Sequence, residues 1–249
     1  EYNTKASKKR MLEGMENDYA GYAKSVKAVL KADSIKNLSI YGTLSGLVDV
    51  KREYIVAIET ALGGALQNII VESEADAKAA IEFLRRTRAG RATFLPVSSV
   101  HGRILESAAQ VKDCKGFVGI ASELVRCDKK YDGIIKSLLG RVAVFDNIDN
   151  AIAVSRRFGY KFRVVTLEGD ILNAGGSMSG GSVNKQSGLI SRAAEIKELG
   201  KDIAKLTQAL RELKEERETS INELNSVKKQ LETYEPVIRE YEDEILRLE

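Results

Sequence analysis

The chain has 249 residues, 43% of them hydrophobic, which is ample for a core of ordinary size and for more than one structural unit. Its formal net charge of +3 conceals an asymmetry, since residues 191–249 sum to −4 and residues 1–190 to +7, a balance that leans toward an anionic partner. Cys114 and Cys127 lie outside any CxxC or histidine-rich setting, and no run of eighteen apolar residues or signal peptide is present. A disulfide framework, a zinc site and a membrane role are therefore not expected, and a reducing cytoplasm is.

The first stretch, EYNTKASKKR, carries a basic cluster and reads as a cut from something longer. Leu12, Met15, Tyr19, Tyr22, Val26 and Val29 then step by 3 and 4, a heptad seam predicting a helix whose seam covers about 27 Å. Asn37 to Gly46 reads as a loop with a short strand, and Leu47–Val50 as a strand. A helix is predicted over Glu53–Leu62, ended by Gly63-Gly64, followed by a buried strand over Asn68–Val71. Ser73 with Asp76 predicts a capping box, and Ala77, Ala80, Ile81 and Leu84 the inner stripe of the helix it starts. Arg91–Pro96 is a further strand.

The plan then recurs. Tyr54, Ile58, Ala61-Leu62-Gly63 match Tyr131, Ile135, Leu138-Leu139-Gly140. Val71, Asp76 and Ala80 match Val144, Asp149 and Ala153 at an offset of 73, and Arg85-Arg86 recurs as Arg156-Arg157. Lys161–Thr166 repeats the strand at 91–95, and Ser98–Lys130, with Phe117–Ile120, links the halves with further strands. Two similar subdomains, about 32–110 and 111–190, related by a pseudo-two-fold axis, give a mixed α/β (α+β) head over 32–190.

From Ile196 to Leu248 a second seam fills sixteen positions, with only Arg217 and Ser220 polar. At helical rise it spans ~80 Å and needs a partner along its length. The simplest partner is the first seam, so residues 1–31 and 191–249 are expected to form the two arms of an antiparallel coiled coil. Pro236 lacks an N–H and predicts a kink or local break without a change of register.

The sharpest local motif is Asn173 to Ser182, NAGGSMSGGS. Gly175-x4-Gly180 has the glycine spacing of a P-loop, but neither frame supplies the lysine that reaches the phosphates. Met178–Ser182 is like an L-S-G-G-Q signature without the P-loop that must oppose it. Paired glycines that let another backbone approach are the alternative. His101 stands alone, Asp146, Glu168 and Asp170 read as turn or cap residues, and no acid/base pair emerges, so catalysis is not expected.

Tyr54 with Ala57–Gly64, Ala80–Leu84, Gly90–Pro96 and Gly169–Gly181 together resemble the hinge region of structural maintenance of chromosomes (SMC) proteins of the bacterial or archaeal type. The resemblance covers most of 42–182 and implies a hinge that joins two copies through edge strands, with Gly175, Gly176, Met178, Gly180 and Gly181 at the contact. It also implies DNA contact by basic residues near the hinge–coil junction. The candidates are Lys27, Lys31, Lys36, Lys185 and Arg192, with Arg85, Arg86 and Arg88 as further options. ATP and Mg²⁺ would belong to head domains elsewhere in the longer protein, as would contacts with other condensin subunits, and the setting would be the nucleoid. Two other readings stay open: a nucleotide-hydrolysing domain with coiled-coil arms, and a coiled-coil adaptor that binds a protein.

Overall fold

The computed structural model describes residues 1–32, 35–181 and 188–248. Two compact units are distinguished: Arg10–Lys197, and residues 1–9 together with those from 198 onward. All ten strands of the described residues fall in the first unit.

That unit is a duplicated motif. In the first copy a 3-10 turn over Arg52–Tyr54 leads into α4 (Ile55–Leu62), β3 (Ile69–Val71), α5 (Glu74–Thr87) and β4 (Phe94–Pro96). In the second, a 3-10 turn over Lys129–Tyr131 leads into α7 (Asp132–Leu139), β7 (Val142–Phe145), α8 (Ile148–Arg157) and β8 (Arg163–Thr166). Each copy starts with a strand that pairs antiparallel with the middle one: β1 (Ile40–Thr43) on β3, and β5 (Phe117–Ile120) on β7. β3–β4 and β7–β8 are parallel, and the intervening helix makes the crossover a parallel pair requires. The copies also meet through β2 (Asp49–Val50) and β6 (Val125–Arg126), which form an antiparallel pair.

The correspondence differs by one residue from the offset of 73 suggested by the repeat pattern. Ser73 and Asn147 cap α5 and α8, and Ile70 pairs with Gly42 as Val144 pairs with Gly119, so residues 74 apart correspond on the middle strand and at the cap. Ala80 is thus the counterpart of buried Val154, whereas Ala153 is exposed. The capping box forms as expected: Ser73 Oγ accepts from Asp76 N, and Asp76 Oδ2 accepts from Ser73 N. Along α5, Ala77, Ala80 and Leu84 are buried, but Ile81 is 43% exposed and Phe83 takes its place inside. The middle strands are buried on both faces, as Ile69–Val71 and Val142–Phe145 are, and each such side chain contributes roughly 1.5–3 kcal/mol by leaving water. Short elements complete the unit: α3 (Leu44–Leu47), mostly where a loop was expected, so that the strand expected over Leu47–Val50 is confined to β2, and α6 (Ala108–Lys112).

The expected continuous helix through Leu12 and Val29 is broken. α1 (Tyr2–Asn17) ends before Tyr19 and Gly21, both at positive φ, and α2 (Lys24–Leu30) begins anew. Tyr22, Val26 and Val29 are buried in the core of the duplicated unit rather than in a coil. The Tyr22 hydroxyl sits 2.9 Å from Ser45 Oγ and 3.2 Å from Thr43 Oγ1, partners that a straight extension of α1 would not supply to a buried phenol.

In the second unit Lys5 Nζ is ion-paired with Asp202, and Lys9 lies beside Gly200, an antiparallel order of the two segments. α9 (Leu189–Leu248) continues through Pro236 without a break. Its seam is buried at Leu199 and half-buried at Ile203 and Leu206; from Leu210 onward every seam side chain is exposed.

Candidate interaction surfaces

In the second copy of the motif the outer edge of β8 is covered. The chain turns at Leu167–Gly169 and returns as β9 (Ile171–Leu172), which pairs antiparallel with β8, and β10 (Met178–Ser179) pairs with β9. The sheet order is β10-β9-β8-β7-β5, whereas the first copy stops at β1-β3-β4. β4, the counterpart of β8, therefore keeps an open edge among the described residues, and so does β10.

The glycines of the motif do not share one role. Gly175 and Gly176, at φ +88° and +93°, form the loop of the β9–β10 hairpin. Asn173 N donates to Ser177 O across it at 2.8 Å, and Gly175 N donates to Tyr160 O, fastening the loop to the segment after α8. Gly180 makes room for the Asp170 carboxyl, since a Cβ there would lie 2.3 Å from Oδ1. Asp170 is itself fixed at the β8–β9 turn, where Thr166 Oγ1 donates to its Oδ2 and accepts from its N, both at 2.9 Å. Gly181 follows, exposed. Met178 is the large apolar side chain on the edge, paired with Leu172 and 50% exposed. An open edge strand with an exposed apolar side chain is a template for another strand. Beside β4, a shallow groove is lined by Ala77, Ile81 and Pro96, with Glu74, Lys78 and Arg85 at its rim. Pro96 suits a strand end at an edge, where its missing N–H leaves no ladder bond unmade.

The basic candidates separate into groups. Lys27 and Lys31 stand on or just after α2, which packs against α5. Ser25 Oγ donates to Arg91 O at 2.6 Å, tying the start of α2 to the chain after α5, where Arg85, Arg86 and Arg88 are exposed. Lys31 lies over the Tyr19 ring at 5.7 Å, and Lys36 is exposed. Lys185 lies outside the described residues. Arg192 is corrected: it is 6% exposed, its Nε donates to Glu16 Oε2 and its Nη2 to Ala20 O, each at 2.9 Å. A guanidinium so engaged joins α1 to α9 and offers no free charge to a phosphate.

One contact has no signal in the sequence. The Glu59 carboxylate, from α4, accepts from Ile190 N at 2.7 Å, and from Ser191 N and Ser191 Oγ at 2.8 Å. It caps the first turn of α9 from more than a hundred residues away, satisfying donors that a helix start leaves orphaned.

Residues 36–155 match the family model described as the SMC proteins flexible hinge domain. A chromosome partition protein Smc of Halothermothrix orenii is 42% identical over 212 residues, which is 84% of this chain and 18% of that protein. The chain thus spans less than a fifth of the length of that relative. A crystal structure described as an asymmetric dimer of the Geobacillus stearothermophilus SMC hinge domain superposes with a TM-score of 0.77 at 38% identity, covering 86% of both chains. A Pyrococcus furiosus Smc hinge domain with an extended coiled coil gives 0.55 at 26% identity, over 87% of this chain and 74% of that one.

Proposed function

The chain belongs to the SMC hinge-domain family, and from that premise we propose that it joins two copies of itself by strand pairing between two of its sheet edges, β10 of one protomer against β4 of the other. The observation that carries this is the difference between the two copies of the motif. What β9 does for β8 inside the chain, no strand does for β4, and the groove at Ala77, Ile81 and Pro96 beside β4 suits an apolar side chain such as Met178. Backbone hydrogen bonds contribute only ~1 kcal/mol each net, so burial of Met178 and Ile81 would supply much of the affinity. Because each protomer has one of each edge, a two-fold arrangement makes the contact twice and closes. The Geobacillus hinge domain is an asymmetric dimer in its crystal, which supports association of two copies.

The longer protein is assigned to chromosome partition, with ATP and Mg²⁺ handled outside this segment, any further subunits bound there too, and action at the nucleoid in the cytoplasm. DNA contact is assigned to Lys27, Lys31 and Lys36 with the exposed arginines that end α5, as weak, sequence-independent binding through phosphates. Lys185 stays with that group as an untested member, and Arg192 leaves it.

Sedimentation equilibrium tests the dimer. The wild type is expected at twice 27.4 kDa. Met178→Glu/Ile81→Glu should sediment as a monomer with unchanged circular dichroism, because both side chains are exposed in the single chain. A double variant that remains dimeric would place the interface elsewhere. For DNA, Lys27→Glu/Lys31→Glu/Arg85→Glu/Arg88→Glu should abolish a binding isotherm that weakens steeply with salt, and unchanged affinity would reject the assignment.

A further inference from the structure

A cleft of about 800 Å³ lies in the second copy of the motif, lined by no residue of β4 or β10, and none of the roles assigned so far uses it. Arg103, Arg141, Arg157 and Lys161 line it, against one carboxylate, Glu106. Among the described residues none of the four cations is ion-paired with a carboxylate, although Lys112, Lys136 and Arg211 elsewhere on the surface are. Collecting like charges in one cleft is unfavourable unless an anion offsets it.

The backbone that presents these groups is closely constrained. The segment before α6 lies against the C-terminal half of α7 so tightly that a Cβ on Gly102 would sit 1.8 Å from Ser137 N, and one on Gly140 2.4 Å from Arg103 O. Leu105 N donates to Gly140 O at 2.8 Å, which fixes Arg103 and Arg141 as neighbours. On the other wall, Arg157 ends α8 and Lys161 follows a turn closed by Tyr160 N donating to Ser155 O at 2.8 Å. Phe158 and Phe162, with ring centroids 5.6 Å apart, floor that side, and the Arg157 guanidinium lies 5.6 Å from the Phe158 ring.

We propose that this cleft binds a small phosphorylated ligand, of mononucleotide size, with its phosphates held by Arg103, Arg141, Arg157 and Lys161 and its apolar or planar part against Phe158 and Ile104. The volume is in the range of small-molecule sites, and three arginines supply planar donor forks that match phosphate oxygens in pairs. A recess takes a compact ligand more readily than a continuous strand, so the free ligand is assigned over a nucleotide unit of a nucleic acid with the same phosphate chemistry. This site does not depend on the dimer or on the DNA surface proposed above.

The probe is inorganic pyrophosphate, titrated into the whole chain at constant ionic strength by calorimetry. Saturable binding is expected, weakened at least tenfold in Arg141→Glu/Arg157→Glu and unchanged in Lys51→Glu/Lys229→Glu, which alters the charge equally at exposed positions that do not line the cleft. All four positions are exposed, so circular dichroism should confirm that each variant folds. No saturable binding by the wild type, or equal weakening in both variants, would overturn the site. A short single-stranded oligonucleotide distinguishes the sources: failure to displace pyrophosphate supports the small ligand, and displacement at equal phosphate concentration overturns that assignment.

Discussion

Replacing Glu59 by alanine should destabilise the duplicated unit substantially although the side chain is only half-buried. The carboxylate accepts three hydrogen bonds of 2.7–2.8 Å, two from the backbone of the first turn of α9 and one from the Ser191 hydroxyl. Hydrogen bonds to a charged acceptor contribute about 1.5–3 kcal/mol each, and a negative group at a helix N-terminus adds about 0.3–1 kcal/mol. Glu59 is half-buried, so water replaces part of what is lost, but Ile190 is 2% exposed and its N–H is poorly placed to find a substitute. A net loss of about 2–4 kcal/mol follows, or roughly 5–15 °C in Tm for a unit of this size. Glu59→Gln keeps one acceptor oxygen and should lose about half as much, and Ser191→Ala, which removes one bond of three, about 1 kcal/mol. Urea unfolding followed by circular dichroism at one fixed protein concentration reads all three, the fixed concentration being needed because association adds to apparent stability. A Glu59→Ala midpoint within error of wild type would show that the cap contributes nothing and that the α9 donors find other partners.

Ser73→Ala removes the cap of α5 and should cost about 1 kcal/mol at neutral pH. The Ser73 hydroxyl also holds the Asp76 carboxyl below its ordinary value, so this stability is present above the unfolded carboxylate range and fades as pH falls through the depressed value. Urea midpoints of wild type and variant should therefore draw closer in acid without meeting, since the bond from Asp76 N to Ser73 Oγ does not titrate, and a constant gap would contradict the assignment. Gly102→Ala has no space for its methyl group against the Ser137 backbone and should cost about 3 kcal/mol or more, whereas Gly14→Ala, in open space within α1, should gain about 0.5–1 kcal/mol in local helix stability, both measurable by chemical denaturation. Leu224→Lys and Leu231→Lys, at exposed seam positions, should leave the unfolding midpoint of this chain within about 0.5 kcal/mol of wild type.

Elements with a local cause were readable from the residues. The Ser73–Asp76 box places a helix start within a residue, and the second copy of the motif could be seen because Tyr131, Ile135 and Leu139 repeat an apolar spacing. Where a local pattern has two uses, sequence alone misleads. Tyr19, Tyr22, Val26 and Val29 keep heptad spacing, yet a buried tyrosine needs hydroxyl partners, and those are on β1 and α3, so the chain bends at Gly21 to reach them. Ile81 fits the α5 stripe as well as Phe83 does, yet it faces outward into the groove beside Pro96 of β4. The one-residue error in the repeat offset has a similar origin, since Asp149 occupies the matching place by type while Asn147 does the capping.

The surfaces were less legible than the core, because an edge is defined by what is missing next to it. Ten residues of glycine-rich sequence marked the β9–β10 hairpin, but not that Gly180 is there for Asp170 and that Met178 is the side chain on the rim. β4 gave only Pro96 as a sign in its own residues of being open, and the edge became plain by comparison with β8, whose equivalent edge is occupied. The same comparison explains how a duplicated motif yields an association module. Two identical copies, each with its edge covered, would have no strand to exchange, and two copies both bare would pair without a defined order. On the proposed pairing of β10 with β4, one copy carrying an extra hairpin and the other lacking it would give each protomer a strand to offer and a place to receive one. Charge is read badly for the complementary reason. Arg192 counts as a free cation by position, yet it is held by Glu16 and Ala20, whereas Arg103, Arg141, Arg157 and Lys161, scattered over almost sixty residues, become one cationic recess through the close fit of Gly102 and Gly140.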